Sequence, residues 1–519
     1  MTKAFYITTA ISYPNGRPHI GHAYEAIATD AIARFQRLRG RDVFFLTGTD
    51  EHGLKMAQAA RERGVAPAAL AEEMSGYFKV MDDRLDVSYD RFIRTTEPAH
   101  HAASQAIWKA MEEKGDIYLG RYEGWYSVRD EAYYDEKELV VADSGERLSP
   151  QGTEVEWTVE ESWFFRLSAY QDRLLAHYQA NPGFIRPESR RNEVLRFVEG
   201  GLSDLSISRT SFDWGVKVPG SEKHVMYVWL DALTNYLTGV GYPQAASETY
   251  RRFWPADIHI IGKDVVRFHA VYWPAFLMSA GLELPHQVFG HGHVLLRGEK
   301  MSKSAGNVLD PLALADGVGV DQLRYFLLRD VTFGQDGSYS SEAIVTRVNA
   351  DLANSFGNLA QRTLSFIARN CDGALPVGGK GAAADDELLE GVRTAVGEMS
   401  CQFEELALSQ GIEAWLRAVF ACNQYIDAQA PWTLRKTDPD RMTAVLAALY
   451  QAIRDLAIAI QPIIPGSSAR LLDQLGIPAD ERSHGAIGDG ESYRRLAASG
   501  FKLEAPKPIF PKLEMPAEG

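Results

Sequence analysis

The run AFYITTA (residues 4–10) is short, apolar and β-branched, and HAYEAIATDAIARFQRLRG (22–40) follows with apolar residues at Ile27, Ala31, Phe35 and Leu38. Gly40 stands where a helix C-cap belongs, and VFFLTGTD (43–50) then reads as a buried strand. A strand, a helix and a strand in that order form a βαβ unit. Its strands lie parallel and need a crossover, so the chain is committed to a parallel sheet covered by helices. The same alternation returns at HVMYVWLDA (224–232), DIHIIGKD (257–264) and HQVFGHGHVLL (286–296).

Two stretches break the pattern. Residues 112–220 change to short aromatic-rich strands and turns, as in RYEGWYSVRDEAYYDEKELVVADSG, and read as a domain inserted into a doubly wound sheet. From about residue 346 strand patterns vanish and long amphipathic helices follow, with GALPVGGKGAAADD as a loop between them and APKPIFPKLEMPAEG as a tail. The expected fold is therefore α/β with an insert, then an all-α bundle. Its expected boundaries are 1–111 and 221–292 for the two halves of the sheet domain, 112–220 for the insert, 293–345 for a linking region and 346–519 for the helices.

The chain of 519 residues, 45% of them hydrophobic, suffices for several cores. Lys plus Arg (54) less Asp plus Glu (69) leaves −15, so no global basic field advertises nucleic acid, although a local basic surface is enough for phosphate. Cys371, Cys401 and Cys422 are widely spaced and suggest reduced thiols rather than a disulfide framework. The N-terminal residues lack a signal peptide's apolar region, and the longest apolar stretch, MTAVLAALYQAIRDLAIAIQPIIP, is broken by Arg454 and Asp455. The expectation is a soluble, cytoplasmic protein without a membrane span.

Ligands of open parallel sheets bind beyond the carboxyl ends of the strands, and unusual residues collect there: Tyr13 after the first strand, Asp50 after the second, Gly262-Lys263-Asp264 after DIHII. In YPNGRPHIGHAYEA (13–26), His19 and His22 open the first helix, where free amides and the helix dipole favour an anion. Imidazole donors would add hydrogen bonds to a phosphate. On their own the two histidines read equally as a cap or a core pair; zinc is disfavoured, since no nearby cysteine or carboxylate completes a set. RGEKMSKSAGN (297–307) offers Lys300, Lys303 and two serines to a polyphosphate, and by itself is also an ordinary solvated basic loop. Neither a P-loop nor a G-x-G-x-x-G fingerprint is present.

HIGH after the first strand together with KMSKS after the last resembles the class I aminoacyl-tRNA synthetases. The flanking YPNGRPHIGH, TGTDEHG, YVWLDALTNY, IGKDVVRFHAVYWPA and QAPW narrow the resemblance, nearly full-length, to the methionyl-tRNA synthetase family. It implies a Rossmann-like catalytic domain, a connective insert, a KMSKS and stem-contact region and a helical anticodon-binding domain. It further implies that Ile11, Tyr13, Asp50, Trp229, Ala232, Leu233, Tyr236, Val265 and His269 form a methionine pocket. Val265 stands where isoleucine is usual. Asp50 supplies a carboxylate for the α-ammonium, and Tyr13 and His269 are donors able to reach a thioether. His19, Gly21, His22, Glu25, Gly262, Asp264, Lys300 and Lys303 are implied to contact ATP, which enters with Mg2+; His19, His22, Lys300 and Lys303 carry the catalysis. Gly21 is expected to let the helix start approach the base.

Family members often carry zinc knuckles in the insert. In this sequence Ser127, Asp130 and Ser149 fall at those places, so no structural zinc is expected, and Trp125, Tyr126, Tyr133 and Tyr134 are expected to stabilise the arm instead. A monomer is expected from the absence of the additional C-terminal domain through which relatives usually dimerise. Asn354, Asn358 and Arg362 recur every four residues on one helix face and, with Trp432, are implied to read the anticodon of tRNA(Met). Spacing alone would make that face a polar surface stripe. Two alternatives to methionine–tRNA ligation stay open: another amino acid on the same chemistry, and a tRNA-binding paralogue without chemistry.

Overall fold

The structure, a computed structural model, describes residues 2–130, 132–142, 145–244, 246–296 and 309–514. Its centre is a six-stranded sheet whose strands are β1 (Ala4–Thr9), β2 (Asp42–Thr49), β3 (Arg91–Arg94), β4 (Ile185–Arg186), β5 (Ile258–Gly262) and β6 (Val288–His291). They lie in the order β3-β2-β1-β5-β6-β4, every pair parallel. In β1, residues Phe5 to Thr9 are all buried, as suits a central strand covered on both faces. The direction of winding reverses between β1 and β5, so the crevice beyond their carboxyl ends is the topological switch point.

Helix Ile20–Leu38 makes the first crossover and stops at Arg39, followed by Gly40 in the left-handed region (φ 80°). Ile27, Ala31 and Phe35 are buried, and Phe35 meets Phe403 of the helical domain edge to face at 5.3 Å. One apolar core thus runs from the sheet into the helices.

Three expectations need correction. HVMYVWLDA does not add a strand to the main sheet: Val225–Met226 pairs antiparallel with Ser208–Arg209, and Val228–Leu233 is helical. Period alone could not separate a short buried helix from a buried strand. The 112–220 segment is not wholly separate either. Its four-stranded antiparallel sheet is built from Leu205–Ser206, Glu156–Phe165, Ile117–Ser127 and Ala132–Tyr134, but β4 returns to the edge of the parallel sheet beside β6. Lastly, the stretch around residue 354 is not one regular helix: Ser341–Val348 leads into nine residues of π-helix, Asn349–Gly357, before Asn358–Asn370 resumes as α.

Beyond Asn370 come the helices Ala383–Glu404, Leu408–Gln429, Pro431–Thr437, Pro439–Ala459, Pro465–Gln474 and Gly490–Ala498. Among the described residues only Pro439–Ala459 is long and apolar enough to cross a membrane, and most of it is buried inside the protein. Its Arg454 and Asp455 pair at 2.7 Å, and Arg454 also donates to the carbonyls of Asp489 and Ala486.

Candidate active site

His19 is the N-cap of helix Ile20–Leu38. Its Nδ1 accepts the Gly21 N–H at 3.1 Å, and His22 Nδ1 accepts the His19 N–H at 3.1 Å. The rings stack with centroids 3.8 Å apart. Because each Nδ1 accepts from an amide, the proton of each neutral imidazole sits on Nε2. The cap thereby turns two rings into two Nε2–H donors at the positive end of a helix, the electrostatics a phosphate needs. Gly21 has a further reason beside the expected one: a Cβ there would stand 2.9 Å from His19 Cε1. Glycine makes room for the ring.

Glu25, one turn on, meets His291 Nε2 at 2.7 Å at the end of β6. Gly262 closes β5; Lys263 pairs with Asp336 at 2.7 Å and Asp264 with His293 at 3.1 Å. His291, His293 and Asp336 escaped the sequence reading, though GHGH at a strand end was a visible signal for the two histidines. Lys300 and Lys303 lie outside the described residues.

All nine residues expected in the amino-acid pocket line one cavity of about 230 Å³. That is smaller than the roughly 300–1,000 Å³ usual for drug-sized ligands. Ile11 and Tyr13 come from the loop after β1, Asp50 from the end of β2, and Trp229, Ala232 and Leu233 from one face of helix Val228–Leu233. Tyr236 follows on the next turn. Trp229 lies flat on Phe268 (centroids 3.8 Å, planes 4° apart), and Tyr13 is held by the Met56 N–H at 2.9 Å with Lys55 over its ring. His269 sits in a short π-helical turn, Phe268–Tyr272. It is not a donor toward the cavity as expected: Nδ1–H donates to the Val265 carbonyl (2.9 Å), so Nε2 accepts the Tyr236 hydroxyl (2.7 Å). Burial pushes its pKa down to about 4, which keeps the ring neutral and that acceptor available.

Ala10, Lys55, Arg129, Asp130, Val228 and Asn235 also line the cavity and were missed as pocket residues. Val228 and Asn235 stood inside a motif already singled out, YVWLDALTNY. Arg129 and Asp130 come from the inserted arm, and nothing local foretells that an arm closes over a pocket on the sheet. Where zinc knuckles would sit, hydroxyls and one carboxylate hold each other: Asp130 Oδ2 accepts from Ser149 (2.6 Å), Thr153 (2.6 Å) and Tyr134 (3.0 Å), and Ser127 Oγ lies 2.7 Å from Thr153 Oγ1. This knot, rather than aromatic packing alone, ties the arm's turns together. Among the described residues no group of three or more His, Cys, Asp or Glu is placed to hold a metal.

In the helical domain Asn354 and Asn358 are exposed and line a groove whose other wall is Pro508, Ile509 and Phe510 of the tail. Arg362 belongs to a neighbouring feature. Its guanidinium lies 5.4 Å from the Trp432 ring centre and pairs with Asp427 at 2.7 Å. Trp432 is 44% exposed, uncommon for an indole without a partner to meet.

A profile for class I tRNA synthetases (M) matches residues 5–364, and one for the anticodon binding domain of methionyl tRNA ligase matches 375–517. The methionine–tRNA ligase of Brucella suis biovar 1 is 58% identical over 510 residues, covering 98% of each chain. That of Mycobacterium tuberculosis strain H37Rv is 56% identical over 519 residues, covering 99% of each. The solved structure of M. tuberculosis methionyl-tRNA synthetase in complex with methionyl-adenylate superposes with a TM-score of 0.94 at 56% identity, over 98% of this chain and 100% of that one. With both profiles matched in order along nearly its whole length, this chain belongs to the methionyl family of class I tRNA synthetases.

Proposed function

We propose that the protein is a methionine–tRNA ligase, activating L-methionine with ATP and transferring the methionyl group to the 3′ end of tRNA(Met). The observation that carries the reading is the single cavity in which Asp50 faces an apolar, aromatic slot at the sheet's switch point. Asp50 takes the α-ammonium; Ile11, Trp229, Ala232, Leu233, Tyr236, Val265 and His269 enclose an unbranched thioether chain, with Tyr13 at its entrance.

The methionine carboxylate attacks the α-phosphorus of Mg-ATP in line. Pyrophosphate leaves and methionyl-adenylate forms; the terminal ribose hydroxyl of the tRNA then attacks the acyl carbon and AMP leaves. No protein nucleophile is needed. Positioning and charge stabilisation do the work, with the Nε2–H groups of His19 and His22 aimed at phosphate oxygens and Lys300 and Lys303 completing the grip. Glu25, Gly262 and Asp264 surround the nucleoside, their carboxylates suited to ribose hydroxyls. Asn354, Asn358, Arg362 and Trp432 read the anticodon. The same reading has the enzyme act in the cytoplasm as a monomer, which sedimentation at micromolar concentration tests.

ATP–pyrophosphate exchange against a panel of amino acids decides the main claim. Methionine is expected to support exchange far better than leucine, cysteine or norleucine. Preference for another amino acid would overturn the substrate, and no exchange at all would overturn the enzyme.

A further inference from the structure

Asp231 occupies the middle of helix Val228–Leu233, on the face turned away from the cavity that Trp229, Ala232 and Leu233 line. Its side chain is fully buried and held at both oxygens: Oδ2 lies 2.7 Å from His52 Nδ1, and Oδ1 lies 2.7 Å from His100 Nε2. His100 Nδ1 continues to Thr238 Oγ1 at 3.1 Å. Burial opposes the charge on Asp231, but the two imidazoles outweigh it and hold the carboxyl well below the usual range, so both rings present an N–H to an anion.

His52 is two residues beyond Asp50 in the loop that ends β2. The rest of that loop is pinned as firmly. Glu51 is buried and accepts from Arg94 Nε (2.7 Å), Thr49 Oγ1 (2.8 Å) and Thr96 Oγ1 (2.5 Å). The Glu51 carbonyl accepts the Trp214 indole N–H at 2.6 Å, and the His52 ring meets Trp214 edge to face. Asp231 is therefore a direct polar link between the loop that carries Asp50 and the helix that carries the apolar wall of the pocket.

We propose that Asp231, acting through His52, is a positioning residue for the substrate ammonium: it fixes how far Asp50 stands from the slot that holds the side chain. The inference rests on the reading of the cavity as a methionine pocket with Asp50 as ammonium acceptor. A purely structural role would weaken every ligand of the cavity alike. A positioning role weakens the ligand that has an ammonium and spares one that lacks it.

The test measures binding of methionine and of its des-amino analogue by tryptophan fluorescence and calorimetry, in the full-length enzyme and in three variants. Wild type should prefer methionine by roughly 10- to 100-fold, the worth of a charged hydrogen bond. In Asp231→Asn and His52→Ala the preference should fall to about threefold or less, with the analogue's affinity nearly unchanged. His52→Asn puts an amide nitrogen where Nδ1 stands and should restore most of the preference. Equal losses for both ligands, or a preference kept in Asp231→Asn and His52→Ala, would overturn the inference while leaving the pocket intact. A wild type indifferent to the ammonium would overturn the pocket reading, and this inference with it.

Discussion

His269 shows how one residue's surroundings set its chemistry. With a folded pKa near 4 against 6.5 for a free ring, the unfolded chain takes up a proton first as pH falls. Its contribution is therefore full above about pH 6.5 and lost progressively from there down through pH 4, amounting to about 3 kcal/mol. His259, buried beside Tyr236 and shifted the same way by burial, adds to the slope. Urea unfolding at pH 7 and pH 5 should show about 2 kcal/mol of this loss, and His269→Asn, which keeps a donor for the Val265 carbonyl, should shrink it; an unchanged slope would mean the folded ring takes up its proton as readily as the unfolded one. Gly21 makes a kinetic prediction. In Gly21→Ala the new methyl group pushes the His19 ring from its stacked position, so kcat for methionine-dependent exchange should fall about tenfold to a hundredfold. KM for methionine, bound elsewhere, should stay within about twofold. All nine expected pocket residues line the cavity because they stand in local words at strand ends and helix starts, where sequence is most informative. The donor role expected of His269 fails because it depends on which neighbour takes each lone pair, and only the folded backbone sets that.

Among elements, the inserted arm and the helix proposed to read the anticodon each pose a separable question. Asp130 accepts three hydroxyls in the knot and also lines the cavity, so the arm's internal order and the pocket rim share one carboxylate. Asp130→Asn should cost the arm roughly 2–4 kcal/mol, seen as faster hydrogen exchange in strands Ile117–Ser127 and Glu156–Phe165. Chelators should leave the wild-type melting temperature where it is, and a drop would show that a metal holds the arm after all. Among the described residues two π-helical turns, at His269 in the sheet domain and at Asn354 in the helical domain, coincide with the residues proposed to read methionine and anticodon. Wide turns of this kind recur at functional sites because they re-aim side chains that a regular helix would not. Stacking of one base on Trp432 is worth roughly 1–3 kcal/mol. Trp432→Ala should then lower kcat/KM for tRNA charging by about ten- to a hundredfold and leave pyrophosphate exchange near wild type. A parallel fall in exchange would make Trp432 a structural residue. Amphipathic patterns revealed the helices themselves, but not the π turns, whose hydrogen-bond shift leaves the apolar spacing nearly intact.

At the scale of the molecule, reading an anticodon in one domain and joining an amino acid in another demands a fixed geometry between them, and Arg324 lies at the join. It is fully buried, and its five N–H donors have five acceptors: Asp30 (2.6 Å), the carbonyls of Leu85 (3.2 Å), Asp86 (3.4 Å) and Pro462 (3.1 Å), and that of Ile463 (3.1 Å). Asp30 belongs to the helix that His19 caps; Pro462 and Ile463 follow helix Pro439–Ala459 of the helical domain. Burial works against the charge on Asp30, yet Arg324, Arg34 and the Ser88 hydrogen bonds hold its carboxyl below the usual range. That contribution is present above the carboxyl's unfolded pKa and disappears as pH falls through the lower, folded one. Removing the guanidinium leaves Asp30 with Arg34 as its one remaining cation, at the rim of the buried site. Arg324→Met should therefore destabilise the protein by about 3–5 kcal/mol. Lysine, with three donors and no planar fork, should recover only part of it. Because the lost bonds join the two domains, the unfolding transition of Arg324→Met should broaden or split, with the helical domain melting apart from the sheet domain. Where both variants remain folded, tRNA charging should fall more than pyrophosphate exchange, since exchange uses the sheet domain alone. Calorimetry alongside the two assays checks each step. A single sharp transition with charging and exchange reduced equally would show that Arg324 stabilises the fold without setting the distance between anticodon and active site.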